Sequence, residues 1–459
     1  MTGSMLASGL SGELIEAFRA EHRGDCFTPS DDAYDARRAL WNGMVDKRPA
    51  LIARCAGVAD VLRTLTLARD AGLPLAVRGG GHNVAGLALC DGAVVADLSA
   101  MRSVRVDPKN RKVRAEAGVL WGELDRETQA FGLATTGGIV STTGIAGLTL
   151  GGGVGWLARK YGHSCDNLVS VDVVTPDGVL RTASAEDHAD LFWGMRGGGG
   201  NLGIATSLEY RLHPVGPTVV GGMILHPADR AADVLRFYRE FIPAAPEELG
   251  LYCGLLSAPD GTPVVALIGC YHGPLDDAEA VLAPVRSFGT PIVDMFQQRP
   301  YVEMQSLLDA AFPAGARYRW RSSFLRDLAD GAVDAIVEAA ASRTSPFSAI
   351  VLEWYGGAPN RVSEDATAFP HREPQFDLIV SAMWMDPGED DLHTDWVRRV
   401  WGDLAPYGSG RVYSNVVDRG EEGRVREAYG AGFSRLRELK ERYDPDNMLR
   451  YNHNVATAG

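Results

Sequence analysis

The sequence predicts an α+β protein of two domains, and three observations carry that expectation. A chain of 459 residues is too long for one ordinary hydrophobic core. Its first half opens with a β-α-β pattern: an apolar run, a helical stripe, and a second apolar run. After Pro214 the character changes, and longer strands and helices alternate between prolines. Runs of that type predict an antiparallel sheet with helices on one face.

Residues 1–45 read as a helical lead-in. In SGELIEAFRAEH (11–22) the apolar positions fall at helical spacing, and Ser11 can cap the first turn. PALIARCAG (49–57) reads as a strand, VADVLRTLTLARDAG (58–72) as a helix closed by a glycine, and LPLAVR (73–78) as the next strand. Short strands then alternate with turns in AVVADLS, VRVDP and KVRAEAG, between 93 and 118. LWGELDRETQAFG (120–132) has helical spacing. VSVDVVTPDGVLRTAS (169–184) reads as a hairpin turning at Pro176-Asp177-Gly178. ADLFWGMRG (189–197) is a short helix and IATSLEYRL (204–212) a strand.

A domain boundary is expected near residue 216, giving a first domain of 1–216 and a second of 217–423. In the second, GLYCGLLSA, TPVVALIGCYHG, SAIVLEWYGG and FDLIVSAMW read as strands. DDAEAVLAPVRSFG and DGAVDAIVEAAAS read as helices. The closing stretch 424–459 carries a helical apolar stripe through EGRVREAYGAGFSRLRELKERYDP.

Composition narrows the function classes. Hydrophobic residues at 46% and charged residues at 23% describe a globular chain. The net charge of −14 argues against nucleic acid or an anionic membrane as partner. No apolar run approaches the ~20 residues of a membrane span. Residues 1–18 lack a basic segment followed by an apolar one, so no signal peptide is read and a cytoplasmic location is expected. None of the six cysteines forms a C-x-x-C pair, and no HExxH or clustered ligand set occurs, so no metal is expected.

The chemistry is concentrated in Arg78-Gly79-Gly80-Gly81-His82-Asn83, which follows the apolar run Leu75-Ala76-Val77. Three glycines let backbone N–H groups approach an anion closely. A nucleophilic imidazole stands immediately after them. A cofactor that bears a diphosphate and can be attached covalently suits both features, and FAD meets both. A second cluster, Gly151-Gly152-Gly153-Val154-Gly155, leaves backbone against which a flat ring or a diphosphate can lie. A third, Gly198 to Gly203, satisfies G-x-G-x-x-G. Its flanks run helix then strand, the reverse of a nicotinamide-nucleotide site, so that reading is rejected.

These segments resemble a known family. PLAVRGGGHNVAGLALCDGAVVADLSAM (74–101), GIAGLTLGGGVGWLARKYGHSCDNLVSVDVVTPDG (144–178), LFWGMRGGGGNLGIATSLEYRLHPV (191–215) and RYDPDNMLRYNHNV (442–455) resemble the FAD-linked oxidases of the vanillyl-alcohol-oxidase fold, in the berberine-bridge-enzyme-like branch. The four motifs stand in the family's order and the likeness covers nearly the whole chain. It implies a two-subdomain PCMH-type FAD-binding domain, a substrate domain, and a last segment that returns to the FAD domain.

The resemblance also implies site residues. The first loop, Arg78 to Asn83, would bind FAD and His82 would carry it covalently. Gly144, Gly147, Gly151, Gly152, Gly153, Gly155, Tyr161 and Asp166 match the second binding segment, Asn201 and Gly203 the third, and Asn452 the last. Some relatives attach the flavin a second time through a cysteine four residues before the position of Gly144. Val140 stands there, and Cys165 comes much later, so a single link is expected and Cys165 is not expected to be attached. Tyr413 and Asn415 match the family's Tyr-x-Asn motif, in which the tyrosine lies over the flavin. Asp377 falls where relatives carry an active-site carboxylate or tyrosine on the substrate sheet. Strand alternation puts Asp377, Ile379 and Ser381 on one face. Tyr413 and Asp377 are the two catalytic candidates, one as base and the other as its partner or a substrate anchor. Tyr355 is a further candidate for the substrate face, and His371 reads as structural.

The expected function is therefore FAD-dependent oxidation of a small alcohol, amine, sugar or specialised metabolite. A hydride passes to flavin N5, and dioxygen reoxidises the cofactor to give hydrogen peroxide. A dehydrogenase with another acceptor, an oxidative cyclase, and a flavin-binding protein without a base are the alternatives.

Overall fold

The computed structural model describes residues 10–456. The first nine residues of the lead-in, and with them half of the segment read as lacking a signal peptide, lie outside the described residues. The lead-in helix runs Gly12–Glu21, and the Ser11 hydroxyl accepts the Leu14 N–H at 3.2 Å. Among the described residues no helix is long and apolar enough to cross a membrane.

The first half of the chain builds two larger sheets, beside a short pairing of Leu133–Ala134 with His213–Pro214. Leu51–Arg54, Val94–Asp97 and Leu75–Arg78 run parallel, with Cys26–Phe27 antiparallel at the edge. Leu75 stands opposite Val94 and Arg78 opposite Asp97, so the strand delivers the Gly79–Gly81 turn at the end of the sheet. The second sheet is antiparallel, in the order Val104–Asp107, Lys112–Glu116, Ile204–Arg211, Leu168–Val174, Leu180–Ser184. One hydrophobic core joins the two sheets. Leu436, Leu439 and Val455 from the end of the chain are buried in it.

The third sheet takes its strands from Thr218 to Trp384 and is antiparallel. Alternation divides its residues cleanly. Ile350, Leu352, Phe376, Leu378, Val380 and Ala382 pack with the helices Ala231–Phe241, Ala278–Ser287, Asp330–Ala341 and Asp390–Leu404 in a separate core. Val351, Glu353, Ile379 and Ser381 point the other way, into a cavity shared with the first half of the chain. The helices thus cover one face, and the opposite face is left for chemistry.

Among the described elements of eight residues or more, two strands and two helices have no counterpart in the sequence reading. Thr218–Pro227 and Ala231–Phe241 lie among the prolines that follow Pro214, which obscures their periodicity. Arg317–Leu325, with sequence RYRWRSSFL, carries three arginines at alternate positions and reads as polar chain. The fold neutralises them: Arg317 pairs with Asp390, Arg319 with Asp418 and Arg321 with Glu421. The fourth element is Asp390–Leu404. The closing helical stripe is corrected too. It breaks into Val425–Tyr429 and Phe433–Tyr443 around Gly430, whose φ of +47° a continuous helix cannot hold.

Candidate active site

A cavity of about 390 Å³ lies between the glycine loops of the first half and the free face of the third sheet. Gly79, Gly80, Gly81, His82 and Asn83 line it from one loop. Gly144, Gly147 and Gly151 line it from the short helix Ile145–Leu150 and its two ends. The two loops touch at glycine. A Cβ on Gly80 would lie 2.5 Å from the Gly144 nitrogen, and one on Gly144 would lie 2.5 Å from the Gly80 nitrogen, so a side chain at either would force the loops apart. Gly147 and Gly200 behave differently. Both line the cavity, and a Cβ on either would meet no protein atom within 4 Å. Their missing side chains leave room for a guest molecule.

Among the described residues no lysine or arginine lines this cavity. A diphosphate held there would depend on backbone N–H groups, the donors that a glycine-rich loop presents. The residues therefore fit FAD, a long cofactor with a diphosphate at its centre. No group of three His, Cys, Asp or Glu side chains that could hold a metal ion occurs among the described residues.

His82 lines the cavity with its ring stacked on Trp41, centroids 4.3 Å apart, and Nε2 3.3 Å from Thr142 Oγ1. Trp41 stacks in turn on Tyr318 at 3.8 Å and donates its indole N–H to the Phe312 carbonyl. Burial lowers the His82 pKa to about 4, so the imidazole is neutral at pH 7 and keeps a nucleophilic lone pair. Val140 also lines the cavity, whereas Cys165 is fully buried outside it, packed with Phe369 and Tyr413. Burial raises the Cys165 thiol pKa, which keeps it protonated.

Tyr413 and Asn415 reach the site from the other end of the chain. The Tyr413 hydroxyl oxygen accepts the Gly153 N–H at 2.9 Å and an Asn415 amide N–H at 2.7 Å. Asn415 donates to the Leu148 carbonyl and Ser414 to the Gly151 carbonyl. The segment is thereby fastened to the second glycine cluster, and Tyr413 and Asn415 both line the cavity. Burial pushes the Tyr413 phenol well above its ordinary value.

Asp377 shares a sheet face with Ile379 and Ser381, but only the last two line the cavity. Its carboxylate is fully buried, and neither oxygen has a hydrogen-bond partner. Directly opposite it, on Ala349–Tyr355, stands Glu353, which does line the cavity; opposite Glu353 stands Tyr252, on Leu249–Ser257. Burial raises the Glu353 carboxyl to about 7. Burial, and then the neighbouring charge of Glu353, hold Asp377 well above its ordinary range. Two buried carboxyls side by side do not both ionise readily, so the pair retains a proton near neutrality.

The structure places several other sequence-derived residues away from the cavity. Arg78 donates to the Arg37 carbonyl at 2.5 Å. Gly152 sits against the Phe369 ring, Gly153 against Ser164 and Gly155 against the Gly137 carbonyl, so these three serve close packing. Tyr161 stacks on His213 at 4.0 Å. Asp166 accepts two hydrogen bonds from the Arg372 guanidinium, at 2.8 and 2.7 Å, in a buried ion pair. Asn201 donates to the Gly198 and His453 carbonyls and accepts the Val455 N–H, which clamps the end of the chain onto the third glycine cluster. Gly203 and Asn452 line the cavity, and Asn452 donates to the Gly200 carbonyl at 3.2 Å. His371 is fully buried, with Nε2 2.8 Å from the Val412 carbonyl. Tyr355 is buried beside Phe324 and outside the cavity.

The sequence reading passed over Glu353, Tyr252, Trp41 and Trp320, all of which line the cavity. Glu353 had a signal: it is the lone carboxylate inside the apolar strand AIVLEWY, and a buried charge needs a reason. For Trp41 no local signal exists, because its partners come from distant segments.

Comparisons with known proteins agree with this geometry. A family profile described as "FAD binding domain" matches residues 49–184, and one described as "Berberine and berberine like" matches 412–456. An FAD-linked oxidoreductase of Dictyostelium discoideum is 29% identical over 446 residues, covering 96% of this chain and 97% of the other. The (R)-6-hydroxynicotine oxidase of Paenarthrobacter nicotinovorans is 30% identical over 459 residues, covering 95% and 97%. The crystal structure of 6-hydroxy-D-nicotine oxidase from Arthrobacter nicotinovorans superposes with a TM-score of 0.86 at 30% identity, over 95% of this chain and 98% of that one. BBE-like 1 of Physcomitrella patens shares the fold, with a TM-score of 0.86 at 23% identity, over 95% and 97%.

Proposed function

Because the chain belongs to the FAD-linked oxidoreductases of the berberine-bridge-like family, we propose that it is an oxidase that takes a hydride from a small organic donor and passes the electrons to dioxygen, giving hydrogen peroxide. One observation carries the reading. A single cavity is lined both by the Gly79–His82 loop, suited to a flavin, and by Glu353 and Tyr413, suited to a proton. That a relative of 30% identity is named an oxidase supports dioxygen as acceptor.

Bound FAD supplies the two-electron acceptor. The chain's own groups do the rest. The backbone of Gly79–Gly81, Gly144 and Gly147 would hold the cofactor, and the neutral His82 imidazole would be the one side chain to carry it covalently. A second link would find no group to form it, since Val140 offers no nucleophile and Cys165 lies outside the cavity. Glu353, with a pKa of about 7, takes the proton of the donor. Tyr413, its oxygen fixed by two N–H groups, turns its own hydroxyl proton toward the donor and orients it. Asp377 acts through Glu353.

The test is reoxidation. Flavin photoreduced without air and then mixed with aerated buffer should recover its yellow band within seconds and release peroxide. Recovery only with an added quinone or dye would assign a dehydrogenase instead.

A further inference from the structure

The helix-covered face of the third sheet carries an open groove that the flavin chemistry does not use. It lies between the helices Ala231–Phe241 and Ala278–Ser287 and encloses about 910 Å³. Phe237 and Phe241, one turn apart on the first helix, line it with half-buried rings stacked at 5.3 Å. Phe237 stacks in turn on Phe288, beyond the second helix, at 4.3 Å. Val281 and Pro284 line the groove from the second helix. An apolar surface rimmed by polar groups marks a place where another molecule sits.

The polar groups of this groove are acceptors. Glu240, Glu248 and Asp277 line it, whereas no lysine, arginine or histidine does, and the one side-chain donor is the Tyr271 hydroxyl, among the described residues. Glu248 is held by Lys160 at 3.1 Å and Glu240 lies 3.4 Å from an Arg239 nitrogen. Asp277 has no ion pair among the described residues. A further acceptor comes from a proline. Pro284 stands inside its helix and has no N–H to give the Ala280 carbonyl one turn back, and both residues line the groove. A cation rich in N–H groups finds partners here that an anion does not. The acidic rim argues against nucleic acid and anionic lipid, and a second copy of this chain, at a net charge of −14, would be repelled.

We propose that this groove docks a basic amphipathic helix of a partner protein. Its apolar stripe lies on Phe237, Phe241 and Val281, and its lysines or arginines meet Glu240, Asp277 and the Ala280 carbonyl. The two flanking helices are 11 and 10 residues long, so the walls extend for about 15 Å at roughly 1.5 Å per residue. That is close to three turns of a docked helix, enough for anchors spaced by one and two turns along one stripe. The sheet separates this partner from the cavity: Leu352 and Phe376 pack toward the helices, whereas Val351 and Glu353 point into the cavity. Docking therefore leaves the cavity open.

Fluorescence anisotropy with the full chain tests this, and no readout in it involves flavin. The probes are labelled peptides of about four helical turns. One is built of lysine and leucine with the leucines at helical spacing, one has the same composition shuffled so that no stripe forms, and one keeps the stripe with glutamate in place of lysine. The striped basic peptide should bind saturably and at least ~10-fold more tightly than the shuffled one, and the glutamate peptide should not bind. Glu240→Lys, at an exposed position, should weaken the striped peptide by ~3- to 10-fold. Phe241→Ala should weaken it by at least ~10-fold. Glu13→Lys, an exposed reversal on the lead-in helix, should leave it unchanged. Equal binding of the striped and shuffled peptides, binding that Glu240→Lys does not alter, or no binding at all overturns the proposal. A concentration-dependent dimer in sedimentation, dissociated by Phe241→Ala, would overturn it in favour of a second copy. Glu240→Lys decides the matter even if Phe241→Ala does not fold.

Discussion

The Tyr413 hydroxyl oxygen accepts the Gly153 N–H at 2.9 Å across 260 residues of sequence. The last tenth of the chain is thus fastened to the second glycine cluster by a group that also lines the cavity. Separating its structural part from its chemical part requires readouts of both kinds.

Tyr413→Phe removes the oxygen that Gly153 and Asn415 donate to. Two buried donors lose their acceptor, at about 1–3 kcal/mol each if left unpaired. Thermal unfolding should shift down, and flavin content should stay close to wild type. Donor-dependent flavin reduction, followed anaerobically, should slow by ~10²-fold or more. A reduction rate within a factor of two of wild type would remove Tyr413 from the mechanism.

Glu353 should set the pH dependence. Its carboxyl becomes a base only as pH rises through about 7, so the reduction rate at saturating donor should climb across that value and level off above it. Glu353→Gln should lie at least ~10²-fold lower and lose the step. A wild-type profile flat between pH 5.5 and 8.5, the range of roughly 1.5 units either side of such a pKa, would exclude Glu353 as the base.

The same group makes a stability prediction of opposite sign. Between its ordinary pKa of 4.5 and about 7 the folded chain keeps a proton that the unfolded chain has released. Native stability therefore falls as pH rises through this window. Glu353→Gln cannot titrate there, so its melting temperature relative to wild type should be higher at pH 8 than at pH 4. Asp377 is raised in the same direction, first by burial and then by the Glu353 charge; the variant removes the second cause, which moves the difference the same way. An unchanged difference between the two pH values would show that Glu353 is not buried in solution.

His82→Ala should convert covalent flavin into flavin that acid releases, while the Gly79–Gly81 loop still binds it. Mass spectrometry of wild-type peptides should find one flavin, on the peptide containing His82. Cys165→Ser should leave that attachment intact, because Cys165 lies outside the cavity. Complete extraction of the wild-type flavin by acid would rule out the covalent bond.

Gly147→Leu separates folding from cofactor binding. A Cβ at Gly147 meets no protein atom, and leucine favours the helix Ile145–Leu150 by up to ~1 kcal/mol over glycine. The variant should fold with wild-type circular dichroism and carry little or no flavin. Normal flavin content would mean that this part of the cavity stays empty in the loaded protein.

Local pattern was enough for most of the architecture. The Ser11 cap, the β-α-β opening, the hairpin at Asp177-Gly178 and the alternation of Asp377, Ile379 and Ser381 each rest on neighbours within a few residues, so periodicity and turn chemistry reveal them. The glycine loop ending in His82 is legible for the same reason: a side-chain-free turn and its nucleophile are contiguous. Arg317–Leu325 was not legible, because its arginines are neutralised by Asp390, Asp418 and Glu421, which only the fold brings near.

The site divides in the same way. From sequence alone the chain carries glycine-rich loops, a histidine placed to hold a flavin, and a carboxylate and a tyrosine far apart in the chain. The tertiary structure decides which of them share a cavity. It turns Gly152, Gly153 and Gly155 to close packing, binds Asp166 to Arg372, and buries Asp377 out of reach while its cross-strand neighbour Glu353 opens on the cavity. The physical reason is that a pKa and an exposure belong to an environment. Strand register sets two carboxyls side by side, and the depth of the sheet then determines which one meets the cavity and which one stays behind it.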